Sequence, residues 1–526
     1  MRSSAFGLLC VLVASLPVCA WSQTADETVR PGIAAGGWEW SADEGSTWAA
    51  AAPAVPGGQV KTLLARAAAT VQPEKDWVAF ELAHNVSPEC KFAWTLNGQD
   101  VPLPLEGMVY KSIPAIPITL LKAGRNELQV KVTFDNKPKS ETDTPAPITP
   151  RIEASIVPVK AADLKMVTGP ILGAATPTSF SVTCRTNLPV PVTLSLRAAD
   201  GTAPIVKTSQ TSLFHRFVVD GLKAQAGWTY SLSVDKPPYK LAAAPARPVV
   251  LAPTGDKFSF VMLGDCRSRP TDWATVSAAV AKLKPAFLVF NGDMTACGRY
   301  DWLWDEQFYA PAAELLSTAP FYPIMGNHEE NAPVYPKLFH TPGGDGMGKN
   351  WFQRIGPVLL ICYDTQWSLT RDKEFPGWLA NATADQAGAG YIFYLTHYPA
   401  WTMGKGTTVD PQTNLPKHSG SRFAREEVQP RLEKLKATAM FTSHEHLYER
   451  SELPSGLTHI VSGGAGAPRG QKGEEAPGKQ YNPYSKLLEP VLHFCVIEVD
   501  GASCTMKVLS PGGKEIDTRT WPARKR

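Results

Sequence analysis

The chain has 526 residues, of which 44% are hydrophobic and 19% are charged, and its net charge is +3. These proportions are ordinary for globular protein, and the length predicts roughly three domains of ~150 residues each. The small net charge excludes a strongly basic surface, so we expect no nucleic-acid partner. The basic run "ARKR" that ends the sequence is typical of a short solvated tail.

The first 20 residues have the order of a secretory signal peptide. Arg2 precedes an apolar run, which ends at Pro17 just before a small-residue site that closes with Ala20. The run is shorter than the ~20 apolar residues of a membrane span, and no later segment is long and apolar enough to be one. We therefore expect cleavage after Ala20 and a soluble mature protein that is secreted or periplasmic.

Nine cysteines are spread thinly along the chain. Without Cys10 and Cys19 of the signal region the number is odd, so at least one is unpaired, and the spacing shows no dense disulfide framework. We expect most of them to be buried as small apolar residues. Cys266 and Cys297 each follow an acidic motif, so a bridge between these two is a hypothesis.

Residues 27–160 are predicted to form an all-β sandwich. The runs "DWVAFEL", "KFAWTLNGQDV" and "NELQVKVTF" alternate apolar and polar residues with the period of a strand, and Asn97-Gly98 is a hairpin signal. The stretch "LLKAGRNELQVKV" resembles the end of the galactose-binding-like jelly rolls attached to secreted glycosidases. This jelly-roll-like resemblance implies carbohydrate binding, and the alternative is a sandwich that only packs or spaces.

A second β-region, residues 163–250, follows a polar, proline-rich stretch (135–150) that we interpret as a long loop. The runs "SFSVTCRTN", "PVTLSLRA", "HRFVVDGL" and "GWTYSLSV" alternate and are spaced as in a small sandwich. This region resembles the fibronectin-III-like domain that precedes the catalytic domain of purple acid phosphatases. A proline-rich connector, "LAAAPARPVVLAPTG", follows it.

From Lys257 onward, apolar strand runs alternate with helical stretches, which predicts an α/β domain over residues 256–512. "KFSFVMLGD" predicts a strand, "WATVSAAVAKLK" an amphipathic helix and "PAFLVFNGD" the next strand. Near the end, "LHFCVIEVDGASCTMKVLS" predicts an antiparallel hairpin. The predicted fold is therefore multidomain, with two β-sandwiches before an α/β domain.

Seven polar residues lie at or just past the C-terminal ends of predicted strands in this domain. Active sites of α/β sheets form at that edge, so we expect these residues to converge. Carboxylate, imidazole and amide groups can hold two cations ~3.5–4 Å apart, which polarise a phosphoryl oxygen and acidify a bridging water for in-line attack. The seven are Asp265, Asp293, Asn327, His328, His397, His444 and His446.

His444 and His446 stand one residue apart in "FTSHEHLYER". On an extended segment, residues i and i+2 point the same way, so the two imidazoles could hold two different ions or grip one, while Glu445 points the other way. Six further histidines belong to no motif, and we expect them to be structural or solvent-exposed. They are His84, His215, His340, His418, His459 and His493.

The motifs "GDCR", "NGDM", "GNHE", "THYP" and "SHEHLYER" resemble, in this order, the motif set of the calcineurin-like metallophosphoesterases. The last motif most resembles the purple acid phosphatase branch of that superfamily. The resemblance covers residues 257–509. It implies a four-layer α/β sandwich, in which two sheets of mixed strands are flanked by helices.

The resemblance also implies a role for each matched residue. Asp265 and His446 would bind a first metal ion, and Asp293 would bridge both ions. His328 would bind no metal; it would face the phosphate and protonate the leaving alkoxide as a general acid. The second ion would take the remaining ligands, Asn327, His397 and His444.

Two positions depart from the family pattern. Arg267 stands where most of the superfamily has a histidine, and Ala296 stands where purple acid phosphatases have a tyrosine. Without that tyrosine there is no iron–phenolate ligand and no purple colour is expected. The first site then has three obvious ligands, with water or Cys297 to complete it, and either binds metal weakly or leaves the enzyme to work with one ion.

Arg267 itself stays protonated and cannot ligate a metal. It could hold a phosphate oxygen with two hydrogen bonds, as a substrate-binding and catalytic residue, or it could form a structural salt bridge to a nearby carboxylate. Trp302 and Trp304, in "GRYDWLWDEQF", could line a substrate cleft, pack in the core or belong to an exposed lid.

These observations predict an exported, metal-dependent phosphoric ester hydrolase. Monoesters are slightly favoured over diesters because the last motif resembles the acid phosphatase branch. The cofactors would be two divalent or trivalent ions of iron, manganese or zinc. The alternative is a glycan- or surface-binding protein with a degraded phosphoesterase domain. Arg267 and Ala296 favour it, and His328 argues against it because a dead site needs no general acid.

Overall fold

The computed structural model describes eight stretches of the chain, which are residues 32–86, 90–137, 145–341, 348–366, 371–384, 386–404, 409–471 and 482–524. The predicted signal peptide, residues 1–20, lies outside the described residues. So does the middle of the predicted 135–150 loop, at residues 138–144. None of the helices within the described stretches has the length and apolar character that a membrane crossing would require.

The first region consists of two antiparallel sheets with strand orders β2-β3-β8-β5-β6 and β1-β9-β4-β7. The strands are β1 (Ile33–Ala34), β2 (Gly36–Ser41), β3 (Val60–Val71), β4 (Trp77–Asn85), β5 (Lys91–Leu96), β6 (Gln99–Asp100), β7 (Ser112–Pro117), β8 (Gly124–Asp135) and β9 (Glu153–Lys160).

The alternation of apolar and polar residues along these strands determines which face of each strand is buried. In β8, Leu128, Val130 and Val132 are buried while the residues between them are more exposed, as the sequence period predicted. Asn97 and Gly98 have φ angles of 53° and 79° between β5 and β6. Both lie in the left-handed region that a two-residue hairpin turn requires, so the predicted hairpin is confirmed.

The second region has two smaller sheets with orders β10-β11-β14 and β13-β12-β15-β16, and β17 also pairs with β15. Their facing sides enclose one apolar core that includes Val182, Leu194 and Tyr230. The strands are β10 (Met166–Leu172), β11 (Phe180–Val190), β12 (Thr193–Ala198), β13 (Ile205–Thr208), β14 (Ser212–Val219), β15 (Trp228–Lys236), β16 (Tyr239–Leu241) and β17 (Arg247–Pro248).

The third region contains a six-stranded sheet of order β20-β19-β18-β28-β29-β30 and a seven-stranded sheet of order β21-β22-β23-β24-β26-β25-β27. The strands are β18 (Lys257–Leu263), β19 (Leu288–Phe290), β20 (Phe321–Pro323), β21 (Trp351–Ile355), β22 (Val358–Cys362), β23 (Tyr391–Leu395), β24 (Ala439–Thr442), β25 (Tyr448–Glu452), β26 (Thr458–Ser462), β27 (Ser485–Glu489), β28 (Phe494–Asp500), β29 (Ser503–Leu509) and β30 (Glu515–Pro522).

All seven α-helices of the described stretches belong to this region, and two of them run on through π-helical turns at 304–309 and 424–428. Single 3₁₀ turns include 327–329, which carries part of the site. The helices are α1 (Pro270–Leu283), α2 (Asp301–Leu303), α3 (Ala310–Leu316), α4 (Tyr335–Leu338), α5 (Arg371–Ala382), α6 (Ser419–Phe423) and α7 (Gln429–Leu435).

Six strands of this region, β19, β20, β22, β23, β24 and β26, are buried on both faces, which explains their continuous apolar runs. In β18, Phe260 and Met262 point into a core shared with the other sheet, while Val261 and Leu263 pack with α1. In β22 of the seven-stranded sheet, alternate residues likewise point into the shared core. The residues between them point outward and pack on the helices of residues 371–435. Helices therefore cover both outer faces of the paired sheets.

The six-stranded sheet continues past residue 512, where the predicted domain ends. β30 pairs with β29 over nearly its whole length, and the predicted hairpin of β28 and β29 is confirmed. Parallel pairing among β18, β19 and β20, and among β22, β23, β24 and β26, sends the C-terminal ends of these strands to common edges.

Candidate metal centre

The candidate ligands lie in the short segments that follow five strands. Asp265 follows β18, Asp293 follows β19, Asn327 follows β20, His397 follows β23 and His444 follows β24. Because these strands end at the facing edges of the two sheets, their polar side chains meet, as the sequence predicted. His328 and His446 lie within the same segments.

Three of these segments hold the backbone in an uncommon conformation. Asp265, Asp293 and His444 have φ angles of 60°, 59° and 72°. Non-glycine residues rarely adopt the left-handed region, at a cost of about 1–3 kcal/mol each. Such conformations concentrate at functional sites, and here they turn the side chain toward the centre at the point where each strand ends.

Four side chains form the second position of the predicted centre. His397 Nε2 lies 3.1 Å from Asn327 Oδ1 and 3.3 Å from Asp293 Oδ1. His444 Nδ1 lies 3.0 Å from the same Asn327 oxygen and 3.3 Å from His397 Nε2. One carboxylate, one amide and two imidazoles therefore aim their donor atoms at one point.

The first position is formed by Asp265, Asp293 and His446, whose donor atoms lie within 4.8 Å of one another. His446 Nε2 is 3.7 Å from Asp265 Oδ1. Asp293 is common to both positions, as a bridging ligand would be. Within the described residues, these two groups are the sets of ligand-type side chains close enough to hold an ion.

The donor atoms fit divalent cations. Asp265 Oδ1 and Asp293 Oδ2 are buried and have no hydrogen-bond partner among the described residues, which is costly for a carboxylate without a nearby cation. The Nδ1 atoms of His397 and His446 lie 2.8 and 2.6 Å from the carbonyl oxygens of Asn291 and Pro468. A carbonyl only accepts, so each Nδ1 donates and each Nε2 is the unprotonated nitrogen, which is the form of imidazole that can ligate a metal.

Burial also sets the charge of these groups. It lowers the pKa of His397 and His444, and it lowers the pKa of His446 to about 4 with the help of the Arg267 charge. The three imidazoles are therefore neutral at pH 7, as metal ligands must be.

The two carboxylates respond differently to their surroundings. Burial, together with the charge of Asp293, raises the pKa of Asp265 well above its usual range. Burial alone would also raise the pKa of Asp293, but interactions with the nearby side chains of His397, His328 and Arg267 hold it below its usual range.

Arg267 lies inside the first position. Its Nε is 3.4 Å from Asp293 Oδ2, and one terminal nitrogen is 3.3 Å from His446 Nε2. Of the two interpretations of Arg267, the structure shows the salt bridge, but the carboxylate that it pairs with is the predicted bridging ligand rather than a structural group.

Neither Ala296 nor Cys297 supplies a ligand to the first position. Ala296 contributes only a methyl group, and its backbone N–H donates to Gln307. The Cys297 thiol contacts the Glu330 carboxylate at 3.4 Å, and burial raises its pKa to about 12. It belongs to neither ligand group found among the described residues.

The hypothesis of a Cys266–Cys297 disulfide is wrong. The Cys266 thiol donates to the carbonyl of Met294 instead, so the two sulfur atoms face different partners. All seven cysteines that the structure describes are buried and unbridged, which confirms the expectation that they pack as small apolar residues.

His328 faces the centre without joining a ligand group. Its Nδ1 donates to the carbonyl of Ala296 at 2.7 Å, and its Nε2 lies 3.9 Å from Asp293 Oδ2. Its backbone N–H donates to Asp293 Oδ1 at 3.1 Å. The imidazole is thus oriented by the loop that follows Asp293, with its second nitrogen turned toward the metal positions.

Two residues that hold the ligands were not singled out from the sequence. The buried Glu329 carboxylate accepts from the backbone N–H groups of Asp293, Met294 and Gly326 at 2.9, 2.6 and 2.6 Å. The hydroxyl of Ser443 donates to Asp265 Oδ2. Both lie within quoted motifs, so their adjacency to predicted ligands was the available signal.

His418 is closer to the site than predicted. Its ring stacks on Tyr398 with centroids 3.7 Å apart, and Tyr398 lies 4.4 Å from the ring of His444. Of the two tryptophans, Trp304 is buried in the core. Trp302 is half-buried, stacks on Tyr300 and lies under the ammonium group of Lys111.

Comparison with known proteins agrees with this geometry. Residues 258–448 match the family model described as calcineurin-like phosphoesterase. Two curated relatives from Arabidopsis thaliana are named probable inactive purple acid phosphatase 24 and purple acid phosphatase 18. They are 24% identical over 243 residues and 23% identical over 274 residues.

These alignments cover 38% and 48% of this chain and 37% and 58% of the relatives, which is less than two thirds of either one. A purple acid phosphatase from yellow lupin (Lupinus luteus) seeds has a similar fold, with a TM-score of 0.59 at 14% identity. That likeness covers 89% of this chain and 95% of the lupin chain. Residues 258–448 are therefore similar to calcineurin-like phosphoesterases, and the fold is similar to that of a purple acid phosphatase over most of the chain.

Proposed function

We propose that this chain hydrolyses phosphoric esters at the centre described above and that the reaction requires a bound metal ion. The observation that carries the proposal is the convergence of Asp293, Asn327, His397 and His444 on one point. A neutral imidazole pair, an amide oxygen and a carboxylate make a donor set suited to Fe, Mn or Zn. A divalent ion held there would polarise a phosphoryl oxygen and acidify bound water.

The surrounding side chains suit the other requirements of the reaction. His328 has one nitrogen directed at the centre and the other held by the Ala296 carbonyl, so it is oriented to pass a proton to the departing alkoxide. Arg267 is 19% exposed and has more N–H donors than its two contacts use, which leaves some to hold a phosphoryl oxygen.

The substrate and the location of the protein are further parts of the proposal. We favour monoesters slightly over diesters, since the motif of residues 443–450 resembles the acid phosphatase branch. We also propose that the protein is exported, on the signal-peptide pattern of residues 1–20. The first β-region would serve either carbohydrate binding or spacing.

A second candidate function is binding to glycans or surfaces by a protein whose phosphoesterase domain is degraded. It is favoured by Arg267 and Ala296, which replace two usual ligands, and by a relative whose name calls it probably inactive. The oriented His328 favours the hydrolase, because a domain that only binds would not need a proton donor facing the centre.

The test is the metal content of the full chain together with hydrolysis of para-nitrophenyl phosphate and its bis-ester. We expect the wild type to hold metal and to cleave one ester, and both chelation and Asp293→Ala to abolish cleavage. Asp272→Asn, which removes a carboxylate that pairs with Arg269 at the start of α1, should change neither property. Absence of both metal and cleavage in the wild type would favour the binding protein.

A further inference from the structure

We propose that the guanidinium of Arg267 is the resident cation of the first position, so that the chain holds a single metal ion, at the second position. The inference rests on the proposed function, because it concerns the same centre, and it revises the expectation of two ions. Four observations carry it: the hydrogen bond that His446 accepts, the sharing of Asp293 between two cation positions, the charge balance of the centre, and the number of ligands at each position.

The lone pair that His446 could offer to a metal is already in use. Its Nδ1 donates to the carbonyl of Pro468, so Nε2 is the unprotonated nitrogen. A terminal nitrogen of Arg267 lies 3.3 Å from that Nε2. Every guanidinium nitrogen is a donor and none is an acceptor. The contact is therefore a hydrogen bond from Arg267 to the atom that the first ion would need.

Asp293 divides its two oxygens between two cation positions. Its Oδ1 lies 3.3 Å from His397 Nε2, on the side of the second position. Its Oδ2 lies 3.4 Å from Arg267 Nε, on the side of the first. A carboxylate that bridges two metal ions would present its oxygens in the same way, so the guanidinium takes the place of one of the two bridged cations.

The charge of the centre also favours one ion. Asp265 and Asp293 are fully buried, and the guanidinium of Arg267 is a cation beside them. Even when both carboxylates are ionised, they and the guanidinium leave a single net negative charge, which one divalent ion more than neutralises. A second divalent ion would have to enter a buried space beside both the first ion and the guanidinium, where repulsion is poorly screened.

The second position also has more ligands than the first, which again favours a single ion at the second position. Four side chains meet at the second position: Asp293, Asn327, His397 and His444. The first position draws on three among the described residues, and Arg267 and the methyl group of Ala296 stand where the family resemblance implies two further ligands. The first position is therefore both less complete and already neutralised.

The experiment counts Mn²⁺ per full-length chain by elemental analysis after chelation, reloading and desalting. We expect one ion in the wild type. His444→Ala should lose it, while His446→Ala should keep it, because His446 binds Arg267 and not the ion. Two ions in the wild type, or loss of the ion in His446→Ala with the fold intact by circular dichroism, would overturn the inference.

A second set of variants restores the histidine that most of the superfamily has at the position of Arg267. Arg267→His should raise the count from one to two, and His446→Ala in that background should return it to one. Arg269→His is the matched control, because it adds an imidazole on a half-exposed side chain outside the centre, and its count should stay at one. A count of one in folded Arg267→His would show that the guanidinium is not what keeps out the second ion.

Electron paramagnetic resonance distinguishes the proposed role of Arg267 from a purely structural one, because a structural role would not change the number of coupled Mn²⁺ ions. The wild type should show the spectrum of isolated Mn²⁺, and Arg267→His that of two coupled ions. The outcomes separate this inference from the proposed function. Two ions with ester cleavage would contradict only the inference, and one ion without cleavage would contradict only the function.

Discussion

The guanidinium of Arg185 binds the carboxylate of Asp301 through two hydrogen bonds of 2.9 and 2.8 Å. Arg185 belongs to β11 of the second region, and Asp301 ends the loop that leaves Asp293. The backbone N–H of Asp301 also donates to Val109 of the first region, and Val109 donates back to Arg299. Both β-regions therefore hold the loop whose Ala296 carbonyl orients His328.

Removing one partner of this buried pair should destabilise the protein strongly. Arg185→Leu leaves the Asp301 carboxylate buried without its cation, and such a loss costs about 3–5 kcal/mol. The free energy of unfolding in urea, followed by tryptophan fluorescence, measures it. Arg247→Leu is the control, since Arg247 joins β17 to Glu314 of α3 in an exposed pair and should cost less than about 1 kcal/mol. Equal effects of the two substitutions would contradict the prediction.

This contact also shows where the sequence stops being informative. The alternation in "SFSVTCRTN" correctly predicts β11, and it predicts that Thr183 and Arg185 face away from the core of their own sandwich. It does not show that another region covers that face. There, Thr183 donates to the carbonyl of Leu338 and Arg185 binds Asp301. The alternation of residues along a strand shows which side chains share a face. It does not show which other part of the protein packs against the polar face.

At the metal centre, too, the sequence predicts some features and leaves others open. Ligand types at the ends of successive strands are readable, because the strand period and the polar residue that ends each run are local signals. The direction of a long side chain is not. Arg267 turns toward His446, and Glu329 turns back to three backbone N–H groups, because of the loop geometry around them. The disulfide hypothesis failed for the same reason, since following two motifs that converge in space does not aim two sulfur atoms at each other.

His328→Gln should slow hydrolysis according to how much the leaving group needs a proton. We expect kcat for an alkyl phosphate to fall by about 10²–10⁴-fold, and kcat for para-nitrophenyl phosphate to fall much less, because nitrophenolate leaves without protonation. The metal content should not change. His340→Gln, which alters a histidine that contacts Ser181 away from the centre, is the control. An equal loss with both esters would exclude His328 as the general acid.

Glu329→Gln should weaken the metal site without touching a ligand. One carboxylate oxygen accepts from the N–H groups of Asp293 and Gly326 and the other from that of Met294. An amide would place an NH₂ against at least one of these donors and shift the Asp293 segment. Loss of such support typically costs about 10–100-fold in metal affinity, measurable by calorimetric titration of Mn²⁺.

The adjacent Glu330→Gln is the matched control for this change, because Glu330 pairs with the exposed Arg299. Its Mn²⁺ dissociation constant should stay within about twofold of the wild type. Glu329→Gln with an unchanged dissociation constant and an unchanged melting temperature would show that the three backbone contacts do not support the site.

Acid should destabilise the first region through His84. This imidazole is buried against Phe92 and Trp94, with ring centroids 4.8 and 5.3 Å away, and neither nitrogen has a hydrogen-bond partner among the described residues. Burial lowers its pKa to about 4, whereas an unfolded histidine titrates near ~6.5. Between these values the unfolded chain binds a proton that the folded chain does not, so stability is full above the unfolded pKa and falls as pH decreases toward 4.

The size of this effect is up to about 1.4 kcal/mol per pH unit for one proton. His84→Phe removes the proton and keeps an aromatic ring, so the free energy of unfolding in urea should depend less steeply on pH between 6 and 4.5. Other buried histidines, such as His459 and His493, should preserve part of the slope. Phe92→Leu disturbs the same cluster without removing a titrating group and should keep the full slope. If His84→Phe retains the wild-type slope, the imidazole of His84 is not the group that binds the proton on unfolding.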